Sequence, residues 1–238
     1  MNKIDYGIDA PKVIRNLFNF GILCILFVIL IPLLNISATQ SALQSFIWTG
    51  VSLILAGTFM ILYSKFGKFR HRDRILNLIK WRGDEKILDI GTGLGLLMIG
   101  AAKRLTTGKS FGIDIFQSKD LSNNSVARLK LNIELENVSS KVEIVKENII
   151  KTNFANDFFD VIVSNLCLHN IPSSEDRKAA CAEIFRIVKP GGTVIISDYT
   201  NVSEYISNFK NLGMEVHKEG TYFLDTFPPL KIIKARKG

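Results

Sequence analysis

Hydrophobic and polar residues are distributed unevenly along the chain, and the first quarter differs from the rest. Between Arg15 and Lys65 there is no Asp, Glu, Lys or Arg, and this stretch contains two apolar runs, 17–36 and 46–63. Each run approaches the length of about 20 residues that a helix needs to cross a hydrocarbon core about 30 Å thick. A short polar link, 37–45, separates the two runs. The pattern predicts a transmembrane helical hairpin.

Two other interpretations of the apolar runs compete with the hairpin. Helices buried in a soluble core are usually shorter and keep a polar face. A cleaved signal peptide has an apolar region of about 7–15 residues, whereas the first run is longer and a second run follows it. The small residues Gly50, Ala56 and Gly57 in the second run would let two helices approach closely. Two membrane spans are therefore the favoured prediction.

Basic residues predict how the hairpin is oriented. The N-terminal segment 1–16 has three of them, the link has none, and segment 64–84 begins with a basic cluster made of Lys65, Lys68, Arg70, Arg72 and Arg74. The positive-inside rule therefore places both ends of the hairpin in the cytoplasm and the link outside. The cluster is explained either as a topology signal alone or also as a contact with anionic headgroups, at about 1 kcal/mol per charge. The sequence leaves these two explanations open.

From residue 85 to the end of the chain, short apolar strands alternate with amphipathic helices. Helical stretches at 94–105, 123–136 and 174–188 separate five predicted strands, Lys86–Ile90, Ser110–Ile115, Val142–Lys146, Phe159–Ser164 and Thr193–Asp198. A helix over 204–212 and two further strands, 214–218 and 230–235, complete the pattern. Strands separated by helices indicate βαβ units. The predicted fold of 85–238 is α/β, with a doubly wound, mostly parallel sheet of seven strands.

A glycine-rich turn follows the first of these strands. The apolar strand ends at Gly91, Gly93 and Gly95, and a helix begins directly afterwards. Glycine lets the backbone turn tightly and approach a ligand, and a helix N-terminus offers free N–H groups to an anionic group. Asp114 ends the next strand about 20 residues later, where an acidic residue reaches a pair of ribose hydroxyls. The site is predicted to hold an adenosine-like ligand.

The spacing G-x-G-x-G separates this turn from the dinucleotide fingerprint, because Leu96 stands where that fingerprint has its third glycine. The chain resembles the class I S-adenosylmethionine-dependent methyltransferases, and among them the small-molecule type. Four segments carry the resemblance: Ile87–Gly95, Gly112–Asp114, Phe159–Asn165 with Leu168-His169 after it, and Val188–Thr193. The resemblance implies a Rossmann-like sheet, S-adenosyl-L-methionine as cofactor, and methyl transfer to a small acceptor.

The resemblance also implies which residues bind the cofactor. Asp89 would hold the methionine end, Asp114 would bind the ribose hydroxyls, and Asn148 stands where the family usually has Asp. The amide oxygen of Asn148 can still accept a hydrogen bond from the adenine amino group. The complete predicted set is Asp89, Gly91, Thr92, Gly93, Gly95, Asp114, Ile115, Asn148, Ile149, Ser164 and Asn165.

Methyl transfer from a sulfonium is an in-line displacement, for which the protein mainly aligns the acceptor and excludes water. A base is required only if the acceptor must lose a proton. His169 is the candidate base, and the alternative is a histidine that hydrogen-bonds the loop and shapes the pocket. No metal is expected, because the three cysteines lack the paired spacing of a zinc site.

The sequence therefore predicts a membrane-anchored methyltransferase that acts on a small, lipid-like or quinone-like acceptor; the lipophilic part rests on the hairpin alone. Two alternatives remain, a nicotinamide-dependent oxidoreductase and a non-catalytic membrane adaptor, and Asn148 is the one hint of the adaptor. Nucleic acid is not an expected partner. The 27 basic and 20 acidic residues after the hairpin are only modestly unbalanced, and topology accounts for the main cluster. The oligomeric state is left open.

Overall fold

The computed structural model describes residues 3–33, 39–116 and 121–238. Two long helices come first, α1 at Pro11–Leu33 and α2 at Gln40–Leu62. Positions 34–36 of the first predicted run and 37–38 of the link lie outside the described ranges. Both helices begin six residues before the apolar runs: α1 includes the charged residues Lys12 and Arg15, and α2 includes uncharged polar residues of the link. The hydroxyl of Thr39 caps α2 by accepting from the amide of Ala42.

The two helices pack along a seam of glycines. A Cβ atom at Gly50 would lie 2.8 Å from the carbonyl oxygen of Gly21, and one at Gly21 would lie 2.9 Å from that of Gly50. Gly57 lies against the ring of Phe18. The predicted close approach at Gly50 and Gly57 is present, and Gly21 is its partner on α1.

Two helical stretches of the described chain are long and apolar enough to cross a membrane, Pro11–Ile31 and Gln40–Leu76, by length and composition only. Only 17% and 11% of their most apolar windows are buried inside the structure. A core helix of a soluble protein would be mostly buried, so the buried-core interpretation is not favoured. The first helix also meets the criteria for a signal sequence. Spanning therefore stays a prediction at this point.

The second apolar helix continues directly into the globular part of the chain. A π-helical turn at Tyr63–Gly67 joins it to α3, Lys68–Leu76. Gly67 is required here because a Cβ atom at this position would clash with the carbonyl oxygen of Asp225. The helical run ends at Leu76, so segment 64–84 is helical as far as residue 76 and continues as a turn and loop over 77–84.

The sheet has seven strands in the order β3-β2-β1-β4-β5-β7-β6, as the sequence predicted in class and strand number. The first five are parallel: β1 Lys86–Ile90, β2 Lys109–Ile113, β3 Val142–Val145, β4 Phe159–Asn165 and β5 Val188–Asp198. β7, Leu230–Arg236, runs antiparallel between β5 and β6, Glu215–Tyr222. Pro228 and Pro229 precede β7, which is an interior strand; β6 is the edge strand at that end of the sheet.

Helices cover both faces of the sheet. They are α4 Leu96–Ala102, α5 Val126–Leu135, α6 Ser174–Ile187 and α7 Val202–Asn211. Successive strand residues face opposite layers: Leu88 packs with α6 and α7, while Ile87 packs with α3 and α4. α4 begins later than predicted because Gly95 is in the left-handed region immediately before it. Because β1 to β5 are parallel, their carboxyl ends lie together at one edge of the sheet.

Candidate functional site

Asp89 lies beneath the glycine loop. Its side chain is buried, and its Oδ2 atom accepts hydrogen bonds from the Thr92 hydroxyl at 2.9 Å and the Met98 amide at 3.0 Å. Burial raises the pKa of Asp89 to about 7, and the bonds from Thr92 and Met98 act in the opposite direction. Asp89 and Thr92 thus brace the loop from below. Direct contact between Asp89 and the methionine end of the cofactor stays a prediction.

The loop itself can be built only from glycine at its three key positions. Gly91, Gly93 and Gly95 have φ angles of 72°, 52° and 89°, in the region that side chains disfavour. A Cβ atom at Gly91 would clash with the Cys167 side chain, and one at Gly93 would lie 2.9 Å from Leu121. The Gly91 contact also joins the loop to the segment that follows β4, which carries the candidate base.

Asp114 closes the loop from the neighbouring strand. Its carboxylate accepts hydrogen bonds from the amides of Gly93, at 2.8 Å, and Phe116. A carboxylate has about four acceptor positions, so within the described part of the chain two remain for a pair of hydroxyls. Ile115, directly after it, is nearly half exposed and offers apolar surface beside the carboxylate. This arrangement suits a ribose next to a flat base.

The other predicted cofactor residues are placed less directly. The side-chain oxygen of Asn148 accepts from the amide of Ile150 at 3.0 Å, within a tight turn. Ile149 packs into the hydrophobic core rather than presenting its side chain to a ligand surface. The Ser164 hydroxyl is buried and donates to the carbonyl oxygen of Ile90. For these three residues the structure shows only these local contacts, and cofactor contact stays a prediction.

A histidine–aspartate pair lies where β4 and β5 end. His169 Nδ1 donates to Asp198 Oδ1 at 2.8 Å, and Asp198 is fully buried. Asp198 also accepts from the backbone amides of His169 and Tyr199. The Nδ1–H bond fixes the tautomer in which Nε2 is the proton acceptor. The ring of Tyr199 packs edge-on against the imidazole, with centroids 4.8 Å apart. The geometry is that of an oriented base.

The second apolar helix reaches the same edge of the sheet. Tyr63, in the π-helical turn, is buried, and its hydroxyl accepts from the Asn165 side chain at 3.5 Å. The amide oxygen of Asn165 is buried and has no hydrogen-bond partner among the described residues. In the sequence, Tyr63 is the last residue of the second apolar run, and no local pattern around it indicates a contact with this site.

The N-terminal segment, residues 3–9, packs beside the glycine loop, because Asn132 links it to the carbonyl oxygen of Leu94. Asn132 accepts from the amide of Asp5 and donates back to its carbonyl oxygen. Lys68 is buried; its ammonium group donates to two carbonyl oxygens of the segment and pairs with Asp9 at 3.5 Å. Burial lowers the pKa of Lys68, while Asp9 acts to raise it. The N-terminal segment, which the sequence predicts to be cytoplasmic, is thus fastened to the globular domain.

Comparison with known proteins agrees with this geometry. Residues 88–196 match the profile of the family described as "Methyltransferase domain". A demethylmenaquinone methyltransferase of Bacteroides fragilis is 28% identical over 134 residues, which are 56% of this chain and 51% of that protein. Phosphoethanolamine N-methyltransferase 2 of Caenorhabditis elegans is 32% identical over 131 residues, 53% of this chain and 28% of that one. The chain spans about half, or less, of the length of the first curated relatives it matches.

Solved structures show the same fold. A SAM-dependent methyltransferase from Aquifex aeolicus superposes with a TM-score of 0.55 at 17% identity, covering 69% of this chain and 88% of that one. Residues 88–196 therefore form a methyltransferase domain, and the match and the fold together support a class I S-adenosylmethionine-dependent methyltransferase. These findings favour that class over the nicotinamide-dependent oxidoreductase considered from the glycine loop. The residues present fit the cofactor, because Asp114 has free acceptor positions beside exposed Ile115, and the glycines leave room for close approach.

Proposed function

We propose that this chain is a membrane-anchored methyltransferase that moves a methyl group from S-adenosyl-L-methionine to a small, lipophilic acceptor. The observation that carries the proposal is the contact between Gly91 and Cys167. It joins the loop that suits the donor to the segment bearing the His169–Asp198 pair. The donor loop and an oriented base therefore share one edge of the sheet.

The chain's own residues have three tasks in this reaction. Asp114 and the glycine loop orient the donor, which when bound supplies a methyl carbon on a positively charged sulfur. His169 Nε2 takes the proton from the acceptor atom as that atom forms its bond to the methyl carbon and the carbon–sulfur bond breaks. Asp198 holds the imidazole in the required orientation and tautomer. The N-terminal segment 3–9 and Tyr63 limit the access of water to the site.

The lipophilic character of the acceptor is supported by the position of Tyr63. This residue ends the second apolar helix and contacts Asn165 beside the base, so the helix leads directly to the acceptor side. One relative is named for demethylmenaquinone and another for phosphoethanolamine, so the relatives do not select one acceptor class. The apolar hairpin favours an acceptor that resides in the membrane.

The hairpin's orientation follows from its flanking charges. Lys12 and Arg15 precede the first span, and Lys65, Lys68 and Arg70 follow the second, whereas the link carries no charge. The positive-inside rule supports a cytoplasmic location for both ends and hence for the globular domain. A site on the cytoplasmic side of the membrane would also have access to dissolved S-adenosylmethionine.

The proposal is tested by titrating the purified full chain with S-adenosylmethionine and with S-adenosylhomocysteine in a calorimeter. We expect both to bind, and Asp114→Asn to weaken binding about 10- to 100-fold, since bonds to a charged group contribute about 1.5–3 kcal/mol. Asp157→Asn is the matched control, because Asp157 is exposed and precedes β4 at the opposite edge. Transfer is measured with a tritiated methyl donor and a lipid extract of membranes.

Three results would change the proposal in different ways. An intact protein that binds neither compound has no methyltransferase function. Binding without transfer to lipid or aqueous extracts supports the adaptor alternative. Transfer to the aqueous extract alone removes the lipophilic acceptor and leaves the enzyme.

A further inference from the structure

The loop between β6 and β7, residues 223–229, presents large apolar side chains to the surroundings. Leu224 is 94% exposed and Phe223 is 66% exposed, a high cost for residues of this size in water. The loop lies at the functional edge of the sheet, because Asp198 at the end of β5 pairs with Lys231 at the start of β7. Its exposed apolar surface thus flanks the acceptor side of the site.

The loop is held in a defined shape, so these side chains are displayed rather than left loose. Asp225 forms an ion pair with Arg74 at 2.8 Å, and its backbone packs directly on Gly67. Thr226 is buried; its hydroxyl bonds the carbonyl oxygen of Tyr222 and accepts from the Leu230 amide. A fixed loop loses little conformational freedom when it enters another phase.

The loop is also continuous with the apolar helix α2. The ring of Phe227 packs against Phe59, with centroids 5.7 Å apart. Phe59 lies three residues before the end of α2, about 4.5 Å along the helix axis at 1.5 Å per residue. Part of the loop therefore lies level with the last turn of the predicted span.

Neighbouring residues extend the apolar surface and add positive charge. Phe66 is 65% exposed in the π-helical turn, directly before the glycine on which the loop packs. Lys65 and Arg70 are exposed in the same helical run. Aromatic and aliphatic side chains with basic residues beside them are the combination found where proteins lie in a membrane interface.

We propose that the β6–β7 loop inserts Phe223 and Leu224 into the membrane leaflet in which α2 ends, as a third membrane contact. The inference rests on the proposed anchoring by the hairpin. The insertion holds the edge that carries Tyr63, His169 and Tyr199 against the membrane surface. A lipophilic acceptor then reaches the base without passing through bulk water.

The test replaces Leu224 with the photo-crosslinking residue p-benzoylphenylalanine in the full chain. The protein is reconstituted into nanodiscs of phosphatidylethanolamine and phosphatidylglycerol, and lipid adducts are located by mass spectrometry after irradiation. Phe223 receives the same replacement as a second variant. Thr107 is the negative control, because it is exposed in the turn before β2 at the opposite edge of the sheet. Phe20, 60% exposed on α1, reports the hairpin itself.

We expect acyl-chain adducts at positions 224, 223 and 20, and at least tenfold fewer at 107. Adducts at position 20 with none at 223 or 224 would overturn the loop insertion and leave the anchor in place. A cross-link from 224 to a second copy of the chain would also overturn it. Adducts at none of the positions would remove the anchor, while binding of S-adenosylmethionine by the same samples would still test the methyltransferase function separately.

Discussion

His169 shows most directly how one side chain acquires a role from its neighbours. In the sequence it is a histidine after an apolar strand, and both catalysis and shaping of a loop remain open for it. In the structure, the buried carboxylate of Asp198 accepts hydrogen bonds from His169 Nδ1 and from the backbone amides of His169 and Tyr199. These bonds fix the orientation of the imidazole. The same Nδ1–H bond also stabilises the loop, so the two roles must be separated by substitution.

His169→Asn separates them, because the asparagine amide can replace the Nδ1–H bond to Asp198 but has nothing equivalent to Nε2. If His169 is the base, we expect methyl transfer to fall about 100-fold or more, within the range for loss of a general base. Affinity for S-adenosylmethionine should stay within about twofold, since the glycine loop is unchanged. His217→Gln, at an exposed histidine, is the matched control. An asparagine variant with normal transfer would assign His169 to loop support alone.

At the level of elements, the hairpin depends on backbone contact between α1 and α2. Gly21 and Gly50 face one another, each without space for a Cβ atom against the other's carbonyl oxygen. Helices in lipid gain little from apolar burial against each other, so this close packing is what associates them. The sequence indicates the small residues of α2, but only the pairing of two helices identifies Gly21 as their partner.

Gly50→Leu should therefore separate the helices without altering the globular fold. Excess volume in a packed interface typically costs about 1–3 kcal/mol, and here the collision is with backbone, which cannot rotate away. We expect a lower midpoint for thermal loss of hairpin structure in nanodiscs, read by proteolysis of the link. Ser52→Leu introduces the same side chain on an exposed position of α2 and should leave the midpoint unchanged. Equal midpoints for both variants would mean that the glycine seam does not hold the hairpin.

At the scale of the whole molecule, His71 connects the helical run from the hairpin to the centre of the sheet. It is fully buried, lies 2.6 Å from the Ser197 hydroxyl on β5, and contacts Arg74 on its other ring nitrogen. Burial, with the charge of Arg74, lowers the pKa of His71 to about 4, although Asp225 acts against this shift. The neutral ring is thus part of the folded state.

Acid should consequently weaken the fold through His71. Between pH 6.5 and 4 the unfolded chain binds a proton that the folded chain does not, so the free energy of unfolding falls as pH falls, by up to about 3 kcal/mol. His71→Gln should reduce this slope in urea titrations followed by the fluorescence of Trp81, which packs beside α3. Burial raises the pKa of Asp89, so protonation of Asp89 increases the free energy of unfolding as pH falls over the same range. The contribution of His71 is therefore the difference in slope between the variant and the parent protein. A slope that matches that of His217→Gln would contradict the assignment.

Much of this molecule is determined by local sequence patterns. The alternation of apolar strands and helices predicts the seven-stranded sheet. The segment Ile87–Gly95 resembles a motif of the methyltransferases, and that resemblance implies the cofactor. The hairpin is predicted from two apolar runs, each near the length of a membrane span, in a stretch without charged residues. Such features depend on residues close together in the chain, where backbone geometry and hydropathy act directly.

Other features exist only once distant segments meet. The Asp198 bond to His169, the approach of Tyr63 to Asn165, the anchoring of residues 3–9 by Lys68, and the apolar loop resting on Phe59 all join positions far apart in sequence. No local pattern encodes these contacts, since each depends on which strands and helices become neighbours when the two faces of the sheet are covered. These contacts select the tautomer of His169, lower the pKa of His71 and leave Phe223 and Leu224 exposed. Tertiary packing therefore decides the particular chemistry of the site within a common fold.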